Sequence, residues 1–379
     1  MQMNFLKNWI NTNREAVRIT GQVLLFLATF VTTTLAGAEW SYGRSVYMEG
    51  FGWSDFVSGL PFSISFLSIL TVHEFGHYFT ARFHGVKSSL PYYIPLPPFP
   101  LSIGTMGAII RLRQRVYSNI QNFDIGLAGP LAGFILALGI LFYGFTNLPP
   151  KEYIYQIHPE YEAYGDNYAD YVYMSNEGVV DIVVGKNLLF MFFETFIADP
   201  ERMPNPHELM HYPFLFAGFL ALVFTSLNLL PIGQLDGGHV LYGLVGYKRH
   251  KQIATVAFLL LLAYSGMGLL KPTDPIDGLL INIPLYLGFL YFALKGLRLS
   301  TRDTIMYASV LFAIQFSTSW FFPTLEGYSG WMLFAFVIGR FLGIDHPPCL
   351  IEVPLDRNRK ILGWVALIIF VLSFTPAPL

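Results

Sequence analysis

Stretches of about twenty consecutive apolar residues recur along this chain, near 18–37, 58–81, 122–145, 212–230, 252–270, 280–297, 304–322, 329–344 and 361–376. Twenty helical residues rise about 30 Å, the thickness of a bilayer's hydrocarbon core. Composition agrees with that reading. Of 379 residues, 54% are hydrophobic and only 13% charged, against about 25% charged in a soluble domain. A soluble fold of this length has too much surface to hide so much apolar material. An ordinary cytosolic enzyme, a disordered chain and a disulfide-stapled module are therefore excluded. The single cysteine, Cys349, leaves no intramolecular disulfide and no multi-cysteine zinc cluster. A net charge of −2 offers no basic field for nucleic acid. The expectation is an all-α polytopic membrane protein of about eight or nine transmembrane helices. The run around 329–344 is the least secure, being short and carrying Arg340.

Lys and Arg in the connections set the orientation. Lys7, Arg14 and Arg18 precede the first run, which puts the N-terminus inside. Arg82, Lys87, Arg111, Arg113 and Arg115 lie between the second and third; Lys248, Arg249 and Lys251 follow the fourth. The alternation places the segment 146–211 outside, where eleven acidic residues face three basic ones. Its Tyr-rich part, 153–173, suggests a packed Ω-type loop or short strands. Leu188–Ile197 reads as a piece lying on the membrane surface. The first apolar run follows a polar stretch and lacks a convincing small-residue cleavage site, so it reads as a retained span. Three parts result: 1–57 with the first helix, 58–245 as a core that includes the outer segment, and 246–379 as a helical extension.

The second run ends in His73-Glu74-Phe75-Gly76-His77. Positions i and i+4 share one helix face, so both imidazoles can meet one metal ion, with Glu74 beside them as a proton acceptor. In a chain with nine His, this pattern arises by chance in under about one case in a hundred. Ionisable groups inside an apolar helix are costly and by default mark function. A catalytic zinc takes three protein ligands and keeps one open position. No Glu stands between Glu74 and Glu152, and Glu152 lies on the outer side. The extended pattern with a third histidine fails, because Thr80 and Phe83 occupy its key positions and His84 comes one place late. The better third ligand is Asp236, in the segment Asn228-Leu229-Leu230-Pro231-Ile232-Gly233-Gln234-Leu235-Asp236-Gly237-Gly238, which falls on the same side as the histidines. Pro231 interrupts the fourth helix, and Asp236 reads as a carboxylate in a flexible turn lining a wet cavity.

These two motifs together resemble the site-2 protease family of intramembrane zinc metalloproteases, which pairs an H-E-x-x-H helix with an N-x-x-P…L-D-G segment. Here they stand as His73–His77 and as Asn228-Leu229-Leu230-Pro231 leading to Leu235-Asp236-Gly237. The resemblance covers about 58–245 and includes no PDZ-like insert. It implies one Zn2+ held by His73, His77 and Asp236, Glu74 as catalytic base, and hydrolysis of peptide bonds within or near transmembrane segments during regulated intramembrane proteolysis. The implied partners are transmembrane protein substrates and the lipid bilayer. The absence of a transit peptide favours a bacterial plasma membrane, with the N-terminus and the mouth of the site cytoplasmic.

Two further segments fit. Residues 91–109 are Pro- and Gly-rich and cannot form one spanning helix. A short β-hairpin dipping toward the site explains them, and its open edge, around Gly104, Thr105, Met106 and Gly107, suits pairing with an unwound substrate. Asn228 is a second candidate for holding the substrate backbone or an oxyanion. Ala128-Gly129-Pro130-Leu131-Ala132-Gly133 allows close helix approach, while many relatives of this family carry an Asn at or next to Gly133. A transporter would spread ionisable groups through several spans or show inverted repeats. Here the buried polar groups concentrate in two segments. Asp345-His346 near the last run reads as a loop turn rather than a second metal site.

Overall fold

The computed structural model describes residues 14–175 and 182–379. Lys7, Glu177 and Asp181, used above for orientation and acidity, lie outside them. The chain is mostly helical and divides into two compact units. The first runs to Arg115 and resumes over Ala128–Thr225, with Pro378 and Leu379; the second takes Val116–Leu127 and Ser226–Ala377.

The first unit is built on α1 (Arg14–Tyr42), the short α2 (Trp53–Ser58) and α3 (Leu60–Phe83). α1 turns Thr33, Thr34, Ala36, Gly37 and Ala38 inward. Side chains this small let α3 approach closely: a Cβ on Gly59 would stand 1.9 Å from the Thr34 carbonyl oxygen. The Thr33 and Ser63 hydroxyls meet at 2.7 Å in that interface, which leaves two buried polar groups satisfied.

The expected hairpin is present. β1 (Tyr92–Pro95) pairs antiparallel with β2 (Thr105–Ile109), with Tyr92 opposite Ile109, Tyr93 opposite Ala108 and an irregularity before Pro95. Proline cannot donate to the ladder, which accounts for the break there. Three side chains of α1 dock the hairpin. Gln22 donates to the Leu90 carbonyl, Thr32 to that of Gly104, and Trp40 to that of Ser102, at 2.7, 2.6 and 2.9 Å. Tyr93 packs edge-on to Phe26 and shares a hydrogen bond with Thr71 of α3 at 2.8 Å.

α4 (Asn119–Thr146) leads into the acidic segment. Its Tyr-rich part contains no strand among the described residues. It forms α5 (Tyr153–Ile157), a 3-10 stretch over Pro159–Asn167 and α6 (Tyr168–Ser175). Ile154, Tyr161 and Tyr168 make a small core there, and Tyr161 stacks on both His158 and Tyr168. Helical turns put residues three apart on one face, which is how Tyr161 reaches His158. α7 (Leu188–Phe196) buries Phe190 and Phe193 against Phe145 and exposes Leu188, Met191, Phe192 and Phe196. A 3-10 turn, Pro206–His211, precedes α8 (Pro213–Asn228).

The second unit contains α9 (Asp236–Ser265), α10 (Ile276–Leu294), α11 (Thr301–Phe321), α12 (Gly330–Val337) and α13 (Arg357–Ser373). α9 is kinked at Gly246, whose φ of 74° few other residues tolerate. Gln315 of α11 donates to the carbonyls of Leu262 and Ala263, both at 3.0 Å, and accepts from Tyr286 at 2.9 Å. α12 ends in a π turn, Ile338–Leu342, that carries Arg340, the weak point seen in the sequence. Arg359 clasps Asp124 with two 2.7 Å hydrogen bonds. Asp345 pairs with Lys251 at 3.1 Å, and His346 meets His239 at 2.8 Å.

Three described helices are long and apolar enough to cross a membrane by length and composition: α1, α4 and the stretch from α10 to Leu297. α8 and the stretch Gly330–Leu342 are apolar but shorter. α3, α9, α11 and α13 overlap the remaining apolar runs as helices but are not among those three.

Candidate active site

α3 opens with Pro61 in its first turn and runs unbroken through the His-Glu motif to a C-cap at His84, followed by Gly85 at φ 70°. That regularity puts His73 and His77 one turn apart on one face. Their Nε2 atoms are 3.0 Å apart, and the rings meet edge-on at 4.7 Å. His73, Glu74 and His77 are all buried, at 7%, 5% and 7% exposure. Three adjacent ionisable groups withdrawn from solvent are expensive unless something compensates them. Two imidazole nitrogens converging on one point present lone pairs as a metal requires.

What faces them is glycine. A Cβ on Gly129 would lie 2.1 Å from His77 Nε2, and one on Gly133 would lie 3.1 Å from His73 Cβ. Gly76, on the opposite side of the contact, would strike the Ala128 carbonyl at 2.6 Å. The small-residue run on α4 is therefore more than a helix-packing stripe: it is the floor under the two imidazoles. Its signal in the sequence was the spacing of Gly129 and Gly133, four apart like the two histidines. A pair of buried Nε2 donors over a floor without side chains fits a zinc ion, whose nitrogen ligands stand at about 2.1 Å.

Asp236 belongs to the second unit. It is the first residue of α9, with Leu235 as N-cap, and not part of a flexible turn. The two glycines after it explain the difference. A Cβ on Gly237 would lie 1.9 Å from the Leu229 carbonyl oxygen, and one on Gly238 would lie 2.3 Å from that of Gly233. The segment 229–235 folds tightly beneath the start of α9, which only glycine permits. A helix N-terminus favours negative charge, which suits a carboxylate at this position. Asn228 is the last residue of α8 and is half-buried. On the hairpin, Gly104 and Thr105 are buried, Gly107 is half-buried and Met106 is 68% exposed.

The model of Peptidase family M50 matches residues 61–267, more than half of the chain. Over 195 residues the chain is 29% identical to "Probable zinc metalloprotease EGY1, chloroplastic" of Oryza sativa subsp. japonica, covering 50% of this chain and 28% of that protein. It is 28% identical to the EGY1 protein of Arabidopsis thaliana over 196 residues, covering 50% and 30%. To "Probable zinc metalloprotease EGY2, chloroplastic" of Oryza sativa subsp. indica it is 27% identical over 195 residues, covering 51% and 31%. The chain thus spans less than a third of the length of these relatives. They are chloroplast proteins, which gives the expected bacterial plasma membrane no support. No solved structure matches the chain. With the His-Glu motif, its glycine floor and the Asp236 segment all inside the matched residues, the chain belongs to peptidase family M50, the family of the site-2 proteases.

Proposed function

We propose that this protein is a membrane zinc metalloprotease that hydrolyses peptide bonds within or near transmembrane segments of other membrane proteins. The observation that carries the reading is the buried pair of imidazoles on α3, with Nε2 atoms 3.0 Å apart over Gly129 and Gly133. His73 and His77 supply two ligands of one Zn2+ and Asp236 supplies the third. Zinc, when bound, provides a Lewis acid that acidifies water and polarises a carbonyl.

Glu74 is next to His73 on the same helix and takes the proton of the attacking water. It then gives that proton to the departing amine. Burial of Glu74 keeps bulk solvent from competing for it. A substrate helix hides its amides in i→i−4 bonds, so it must unwind before attack. Helix-breaking residues near the cleavage point are the expected preference. The hairpin offers the unwound strand an edge at Gly104, Thr105, Met106 and Gly107, and Asn228 offers a side-chain amide. The hydrogen bond between Tyr93 and Thr71 fixes the hairpin to α3 two residues before His73, which supports this role.

The nine apolar runs are read as eight or nine spans, with residues 58–245 as the catalytic core and 246–379 as an extension. The N-terminus and the mouth of the site lie on the membrane face where Arg and Lys concentrate. The exposed Leu188, Met191, Phe192 and Phe196 of α7 rest on the opposite lipid surface.

The test is cleavage of a panel of single-span proteins by the full chain in detergent. Chelation should abolish cleavage and added zinc should restore it. His73→Ala and Asp236→Ala should both be inactive. Parental rates in Asp236→Ala would move the third ligand to another residue.

A further inference from the structure

A second set of ligand-type side chains sits in the acidic outer segment, away from α3. His158 follows α5. Glu208 and His211 share the 3-10 turn before α8. His158 Nε2 lies 3.3 Å from His211 Nε2, and His211 Nε2 lies 3.5 Å from Glu208 Oε2. One ligand atom from each of the three falls within 4.8 Å of the others. Two atoms each about 2.1 Å from a tetrahedral zinc stand about 3.4 Å apart, so both short edges match that coordination.

The partners on the far side of each ligand fix its chemistry. His211 Nδ1 faces the Ser41 carbonyl oxygen at 3.0 Å. A carbonyl only accepts, so Nδ1 carries the proton and Nε2 keeps its lone pair in the neutral ring. His158 Nδ1 faces Glu160 Oε1 at 3.0 Å, with the same result. Tyr173 donates to Glu208 Oε1 at 2.6 Å, which leaves Oε2 on the side of the histidines. Backbone and carboxylate partners of this kind are how proteins orient metal-bound imidazoles. Three acceptor atoms then face a common point, with Glu208 at 1% and His211 at 7% exposure. Such an arrangement is repulsive unless a cation sits among them.

We propose that His158, Glu208 and His211 bind a second zinc ion, which staples the outer segment to the ends of α1 and α8. The ion joins the start of that segment, at His158, to its end, at Glu208 and His211, and through Ser41 to the close of α1. Its three protein ligands leave a fourth position for water.

The test is metal stoichiometry of the full chain in detergent, stripped and reloaded with Co2+, whose visible absorption reports tetrahedral nitrogen and oxygen ligands. The parent should hold about two ions, and His158→Ala, a half-exposed position, about one. A His73→Ala/His77→Ala protein should hold about one, and adding His158→Ala to it should leave none. In that His73→Ala/His77→Ala protein, metal should also raise the thermal midpoint, and adding His158→Ala should abolish the rise. A His158→Ala protein that holds as many ions as the parent overturns the proposal. If the His73→Ala/His77→Ala protein binds as many ions as the parent while His158→Ala loses one, the second site stands and the protease centre does not.

Discussion

At the scale of single residues, the site depends on what is missing from α4. The Gly129 position has no room for a methyl group, since a Cβ there would stand 2.1 Å from His77 Nε2. The imidazole must move if that glycine gains a side chain. Gly129→Ala is expected to cost about 1–3 kcal/mol, as overpacking of a tight core does, and to lower metal retention at the His73–His77 pair. Thermal unfolding and metal analysis check this. Gly133→Ala is expected to be milder, because its contact at 3.1 Å is with His73 Cβ and yields by a few tenths of an ångström. Equal effects of the two variants would mean that His77 is not held against this floor. The histidines and Glu74 were legible in the sequence because helical spacing alone puts i and i+4 on one face. The floor was legible only as small residues. Which side chain it supports depends on how α3 and α4 pair, and no local pattern encodes that.

Among the elements, the hairpin 92–109 shows how local signals and tertiary docking divide the work. Pro and Gly content ruled out a spanning helix and pointed to a short hairpin. Its attachment was not visible, because Gln22, Thr32 and Trp40 lie far away in sequence on α1, a helix that otherwise reads as lipid-facing. Gly104 marks the tightest point: its φ is 79° and a Cβ would lie 2.4 Å from the Thr32 carbonyl oxygen. Gly104→Ala is expected to cost about 1–3 kcal/mol in backbone strain and to lift this strand from α1, with a fall in cleavage larger than any change in zinc content. Met106, 68% exposed, is the contrast. Met106→Ala should leave the thermal midpoint unchanged and raise KM if the hairpin edge holds substrate. The start of α9 is the element where sequence reasoning misjudged a conformation. Asp-Gly-Gly ordinarily signals a turn. Here the glycines allow 229–235 to fold under a helix, and Asp236 becomes its first residue.

For the molecule as a whole, composition and the nine apolar runs announced a membrane protein, and the paired motifs announced the family. The polar groups of the acidic segment resisted reading, because His158 and His211, distant in sequence, meet only through the tertiary fold. Chelation is expected to stop cleavage outright and, through the outer site, to lower the thermal midpoint as well. A protein stripped of metal that still unfolds at the parental temperature would separate the outer segment from any metal. The catalytic claim itself rests on Glu74, and comparing parent with Glu74→Gln on one single-span substrate isolates it, since the amide keeps the shape and loses the basicity. A fall in kcat of about 10²–10⁴-fold with zinc still bound is expected, whereas equal cleavage by the two proteins would remove Glu74 from the mechanism.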